Sequence, residues 1–137
     1  MRKKRSAIFV LFVLLPFLAA MNAFQYQNPE RVPVPTKKFF ATFVDLTDVI
    51  TDCREVSIEG ETFLEGKRGN GSSSIPFEHI ADVSFLQEGD KFYGIIKLKD
   101  GNALQLALNK NQKAYGHTKY GTFQIKFSEL KKMIFKK

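Results

Sequence analysis

The sequence predicts an all-β domain assembled from two similar units. Either an internally duplicated antiparallel β-sandwich or a pair of small barrels would fit, with one short helical turn in each repeat. Three observations lead there. Apolar residues alternate with polar ones at period two, as in Leu104, Leu106 and Leu108 against Gln105, Ala107 and Asn109. Turn residues punctuate these runs every few positions. The second half also repeats the first at a shift of fifty positions, placing Gly66 on Gly116, Gly71 on Gly121, Ile75 on Ile125, Phe77 on Phe127 and Phe85 on Phe135.

The N-terminal stretch is different in kind. Arg2, Lys3, Lys4 and Arg5 form a basic head, and residues 7–20 follow without a charged or strongly polar side chain. That order is the pattern of a secretory signal. The apolar run covers 14 positions and contains Pro16, against the roughly 20 residues that a membrane-crossing helix needs. Residues 1–23 are therefore read as a signal peptide, which implies a periplasmic or secreted protein. Cleavage after Ala23 puts Met21 at the −3 position, which is larger than the usual small residue. An uncleaved anchor is the alternative. Residues 24–38 carry Pro29, Pro33 and Pro35, which exclude a helix, so they read as an extended tether.

Residues 39–90 form the first repeat and residues 91–137 the second. Apolar positions agree at the same shift: Val56 with Leu106, Ile58 with Leu108, Ile80 with Leu130, Val83 with Met133. Upstream, a gap of two restores the match, pairing Val44 with Ile96, Leu46 with Leu98 and Asp48 with Asp100. Asp100-Gly101 suits a tight hairpin, and Glu59-Gly60 and Gly69-Asn70-Gly71 mark turns in the first unit. Pro76 ends its strand or confines it to an edge. Glu78-His79-Ile80 and Ser128-Glu129-Leu130 are too short for a stable helix, so each reads as one turn pinned by its apolar residue. There are 14 Phe and no Trp. Ile75, Phe77, Phe85, Ile125, Phe127 and Phe135 are the expected core, because the same apolar positions recur in both units. A fifty-residue β unit buries too little surface to stand comfortably alone, so the units should share that core.

Each unit, with a helical turn before its last strand, resembles SH3-like and Sm-like barrels. The resemblance implies a fold and no ligand. The pattern G-x-x-x-I-P-F-x-x-I-x-x-V-x-F from Gly71 to Phe85 is also similar to that of small exported bacterial proteins of unassigned function, and it implies no activity.

The chemistry-bearing residues are sparse. The chain carries +7, but four of its basic residues belong to the signal, which leaves about +3 and argues against a nucleic-acid-binding face. Lys131, Lys132, Lys136 and Lys137 are candidate anion-binding residues, supported by Lys113, Lys119 and Lys126. Gly60 to Gly66 misses the phosphate-loop spacing, and Arg68 stands where its hydroxyl should be. His79 and His117 occupy non-equivalent places in the repeats, which argues against a symmetric metal site though not an asymmetric one; both read as surface residues, and no metal and no cofactor are expected. Asp45, Asp48 and Asp52 lack calcium-loop spacing and read as solvated turn carboxylates. Cys53 is alone, so it forms no disulfide within the chain, and it reads as a half-buried apolar side chain rather than a thiol nucleophile. The resulting expectation is a non-catalytic exported envelope module with a structural or protein-interaction role. Its partner would be another envelope protein. Weak binding of an anionic polymer or lipid headgroup through the C-terminal lysines is the alternative, and an enzyme using Cys53 or a histidine ranks below it.

Overall fold

The structure, a computed structural model, describes residues 32–136. Residues 1–23, read above as a signal peptide, residues 24–31 of the expected tether and Lys137 lie outside the described residues. The described chain forms ten strands: β1 (Phe40–Asp45), β2 (Ile50–Ile58), β3 (Phe63–Arg68), β4 (Gly71–Pro76), β5 (Ile80–Glu88), β6 (Lys91–Leu98), β7 (Ala103–Ala107), β8 (Lys113–Thr118), β9 (Gly121–Lys126) and β10 (Leu130–Phe135). Single 3-10 turns at Phe77–His79 and Phe127–Glu129 precede β5 and β10. Residues 32–38 run along the domain. Pro35 is buried, and a side chain at Gly60 would come within 3.4 Å of the Pro33 Cβ.

All ten strands join one curled antiparallel sheet, in the order β4-β3-β7-β6-β5-β10-β1-β2-β8-β9. Exchange β1–β5 for β6–β10 in that order and it reads the same from the other end. The hairpin β3–β4 pairs with β7 rather than with β2, the strand before it, while β8–β9 pairs with β2. One five-stranded group is thus the continuous segment 63–107. The other is built from 40–58 and 113–135. The groups join at β5–β10, where Met133 faces Val83, flanked by Lys132 against Ser84 and Ile134 against Asp82. The strand order is therefore symmetric about the β5–β10 junction, with the Val83–Met133 pair at its middle.

Register refines the match between strands. Phe43 pairs with Met133 as Ile96 pairs with Val83, and Ala41 pairs with Phe135 as Gly94 pairs with Phe85. Phe43 therefore stands where Ile96 does, an offset of fifty-three rather than the fifty-two expected from sequence. Likewise Cys53, opposite Ala41, corresponds to Leu106, opposite Gly94, so Val56 does not. A slip of one residue reverses every side chain in a strand. Burial agrees with the structural register, since Phe43 and Ile96 are both enclosed while Val44 is only half-buried. The surplus residues sit between Cys53 and the start of β3. One is a β-bulge at Glu55, and the others belong to the turn through Glu59 and Gly60, whose φ angles are 51° and 86°.

The core lies on one face of the curled sheet. Ile75, Phe77, Phe85, Phe127 and Phe135 are buried. Ile125 is the exception and stays half-buried. It faces Ala114 across β8–β9, whereas Ile75 faces the larger Leu64, so less apolar surface covers it. The aromatic contacts follow the same symmetry. Phe77 meets Phe135 at 4.6 Å between ring centres, tilted 45°, and Phe127 meets Phe85 at 5.0 Å, tilted 42°. Each 3-10 turn is too short to persist by itself. It is fixed by its buried Phe, by the following Ile80 or Leu130, and by Phe77 N–H donating to Thr62 O or Phe127 N–H to Gln112 O.

Glycine is required at two of the matching positions. A Cβ on Gly66 would lie 2.8 Å from the Ala107 carbonyl oxygen, and one on Gly116 would lie 2.6 Å from Cys53 Cβ. Both glycines let a hairpin press its backbone onto the neighbouring strand.

Candidate functional site

Strand β10 lies beside β1, which pairs with β2, and this brings the C-terminal lysines against the acidic residues near β2. Lys131 Nζ donates to Asp48 Oδ1 at 2.6 Å, and Lys136 Nζ lies 3.2 Å from Asp52 Oδ1. Lys132 is half-buried on the same strand. Lys119 sits over the Tyr120 ring at 5.1 Å, away from β10. Two of the four candidate anion-binding lysines are thus already opposite carboxylates. Asp45 serves its own loop: its Oδ1 accepts from Thr47 Oγ1 (2.7 Å), Thr47 N–H (2.8 Å) and Val49 N–H (3.0 Å). The Thr47 hydroxyl first, then the Val49 N–H, holds its carboxyl below the usual 3.8.

Cys53 faces the core at 4% exposure. Burial first, then the nearby Asp52 charge, pushes its thiol up to about 11. A nucleophilic thiol needs the opposite shift, so the position suits packing. His79 is exposed at the end of its 3-10 turn, and His117 is half-buried on β8. Among the described residues, no group of three or more His, Cys, Asp or Glu is placed to hold a metal ion.

The polar cluster of most interest surrounds Glu55. The β2 bulge sets its φ at 52°, in the left-handed region, and turns its carboxylate toward two cationic side chains and an imidazole. Lys38 Nζ is 3.6 Å away, Arg54 Nε 3.8 Å, and His117 Nδ1 3.8 Å. His117 Nδ1 is itself buried and has no hydrogen-bond partner among the described residues. A non-glycine residue in this conformation costs about 1–2 kcal/mol, a cost the convergent charges help to offset.

The corresponding place in segment 63–107 is built differently. Lys67 pairs with Ala107 as His117 pairs with Arg54, and Tyr93 faces Ala107 as Phe40 faces Arg54. Lys91, two residues before Tyr93, therefore takes the place of Lys38. No bulge interrupts β7, so nothing stands where Glu55 does. The hairpin is also held more loosely: β3 meets β7 at one residue pair, while β8 meets β2 at three. An open groove of about 590 Å³ results, lined among others by Lys67, Lys91, Tyr93, Gln105 and Asp90, with Phe92 at its base.

Sequence reasoning missed both features. The bulge had a signal, because buried residues of β2 step from Cys53 to Val56, three positions instead of two. The groove had none, since it arises from which hairpin lies against which strand.

Fold and site together define a small all-β protein with one ten-stranded sheet of two matching sides and a single-sided groove. The chain belongs to a family described as "Uncharacterised protein", whose profile matches residues 35–137. No curated protein and no solved structure matches the chain.

Proposed function

We propose that this protein is a non-catalytic exported envelope module that binds another envelope protein. Its folded part is read as a duplicated unit of the SH3-like kind whose two copies have exchanged hairpins. The observation that carries the interaction role is the open sheet: among the described residues, β4 ends it with one side unpaired by another strand. Edge strands of this kind accept a partner strand by backbone hydrogen bonding. The basic head and short apolar run support export. A photo-crosslinking residue at Ser73 on β4 tests the reading in intact cells. A discrete protein adduct in the periplasmic or envelope fraction is expected, absent when the crosslinker sits at Asn102. Recovery of the protein in the cytoplasm, or the same adducts at both positions, would refute it.

A further inference from the structure

We infer that the groove between β3, β6 and β7 is a binding site for a carboxylate carried by an acidic peptide, seated where Glu55 sits on the other side of the sheet. The chain supplies its own precedent. On one side the Glu55 carboxylate lies among Lys38, Arg54 and His117 at 3.6–3.8 Å. On the other side Lys91 and Lys67 occupy the places of Lys38 and His117, with no internal carboxylate at the bulge position. Both lysines are exposed, and neither lies within 4.0 Å of a carboxylate among the described residues, although Asp90 shares the groove.

The rest of the lining suits a peptide better than a bare ion. The half-buried Tyr93 presents aromatic surface, which packs against side-chain stems, and Gln105 can both donate and accept. Only one residue pair joins β3 to β7, against three between β2 and β8, so this side of the sheet is the more open of the two. Lysines facing open solvent gain little from one carboxylate, so affinity should come from the charge and packing against Tyr93 together, and should weaken with salt. This inference rests on the reading of the protein as an interaction module and names what that module recognises.

The test is a titration of isotope-labelled protein with end-blocked hexaglutamate, followed residue by residue by NMR, with hexaglutamine as control. Saturable shifts are expected at Lys67, Lys91 and Tyr93, for hexaglutamate alone. Lys67→Gln combined with Lys91→Gln should weaken binding at least about tenfold, a loss of about 1.4 kcal/mol, with circular dichroism unchanged. Glu55→Gly keeps the bulge, since glycine tolerates its φ, and removes the carboxylate. It should add a second set of shifts at Lys38, Arg54 and His117. Absence of saturable shifts, shifts centred on Lys131, Lys132 and Lys136, or wild-type binding by the double variant would overturn the inference. So would a folded Glu55→Gly protein with only one site. If Glu55→Gly unfolds, the lysine pair decides alone. The purified protein is used throughout, so hexaglutamate binding without a cellular adduct at Ser73 would count against the envelope-partner reading only.

Discussion

Removing one ring from the Phe77–Phe135 contact tests whether the two sides of the sheet are held by equivalent aromatic pairs. Phe77 is 1% exposed and touches both Phe39, at 5.5 Å, and Phe135, at 4.6 Å. Truncation to alanine should cost about 3–5 kcal/mol. A domain of this size has about 5–15 kcal/mol in total, so two such truncations, about 6–10 kcal/mol together, would consume most of it. A cycle with leucine retains most of the apolar volume and isolates the ring contact, worth about 0.5–1.5 kcal/mol. Urea unfolding of Phe77→Leu, Phe135→Leu and the double variant should return a coupling in that range. The Phe85/Phe127 cycle should return a similar value, because its centroid distance is 5.0 Å at nearly the same tilt. Phe77 with Phe123, whose ring stacks on Phe43 instead, should return nearly none. Zero coupling in either of the first two pairs would refute the equivalence.

Other consequences concern backbone contact, the thiol and acid stability. Gly66→Ala and Gly116→Ala should each destabilise by about 1–3 kcal/mol through overpacking. Adding Cys53→Gly should recover part of the second loss, since the clash is with Cys53 Cβ at 2.6 Å. No side-chain change should rescue the first, whose clash is with a backbone oxygen. Equal rescue of both in chemical denaturation would contradict this. Cys53 should resist a thiol reagent at pH 8 in the native protein and react quickly in denaturant. Because its folded value is raised to about 11 from 9.0, its contribution to stability is complete below pH 9 and is lost as pH rises toward 11. Rapid native labelling would show the thiol is not enclosed. Asp52 is held below 3.8 first by the Thr42 hydroxyl, at 2.6 Å, and then by Lys136. Its contribution is present above pH 3.8 and lost as pH falls through the lower folded value. The stability gap between wild type and Thr42→Val should therefore narrow below pH 3.8, whereas a gap independent of pH would assign it to packing.

Local features were readable because they depend on a few neighbouring residues. Period-two runs became strands, Asp100-Gly101 and Gly69-Asn70-Gly71 became turns, and Phe77, Phe127, Ile80 and Leu130 were buried in the core beside the two 3-10 turns. The pairing of β3 with β7 was not readable, because an apolar strand gives the same pattern against either neighbour. The one-residue error at Val44 has a related origin. Val44 and Phe43 are both apolar, and only the ladder with β10 decides which faces inward. The lysines of β10 and the aspartates near β2 looked like separate surface groups because the chain distance, 83 residues from Asp48 to Lys131, conceals a contact of 2.6 Å.

The account depends most on the two five-stranded groups forming a single folding unit across β5–β10. Native-state hydrogen exchange of the amides in β5, β6 and β7 against those in β10, β1 and β2 measures this directly. The slowest amides of both sets should open with one common free energy, equal to that of global unfolding. If residues 63–107 retained protection while 40–58 and 113–135 exchanged through a separate, cheaper opening, the groups would be independent domains and the shared core would be disproved.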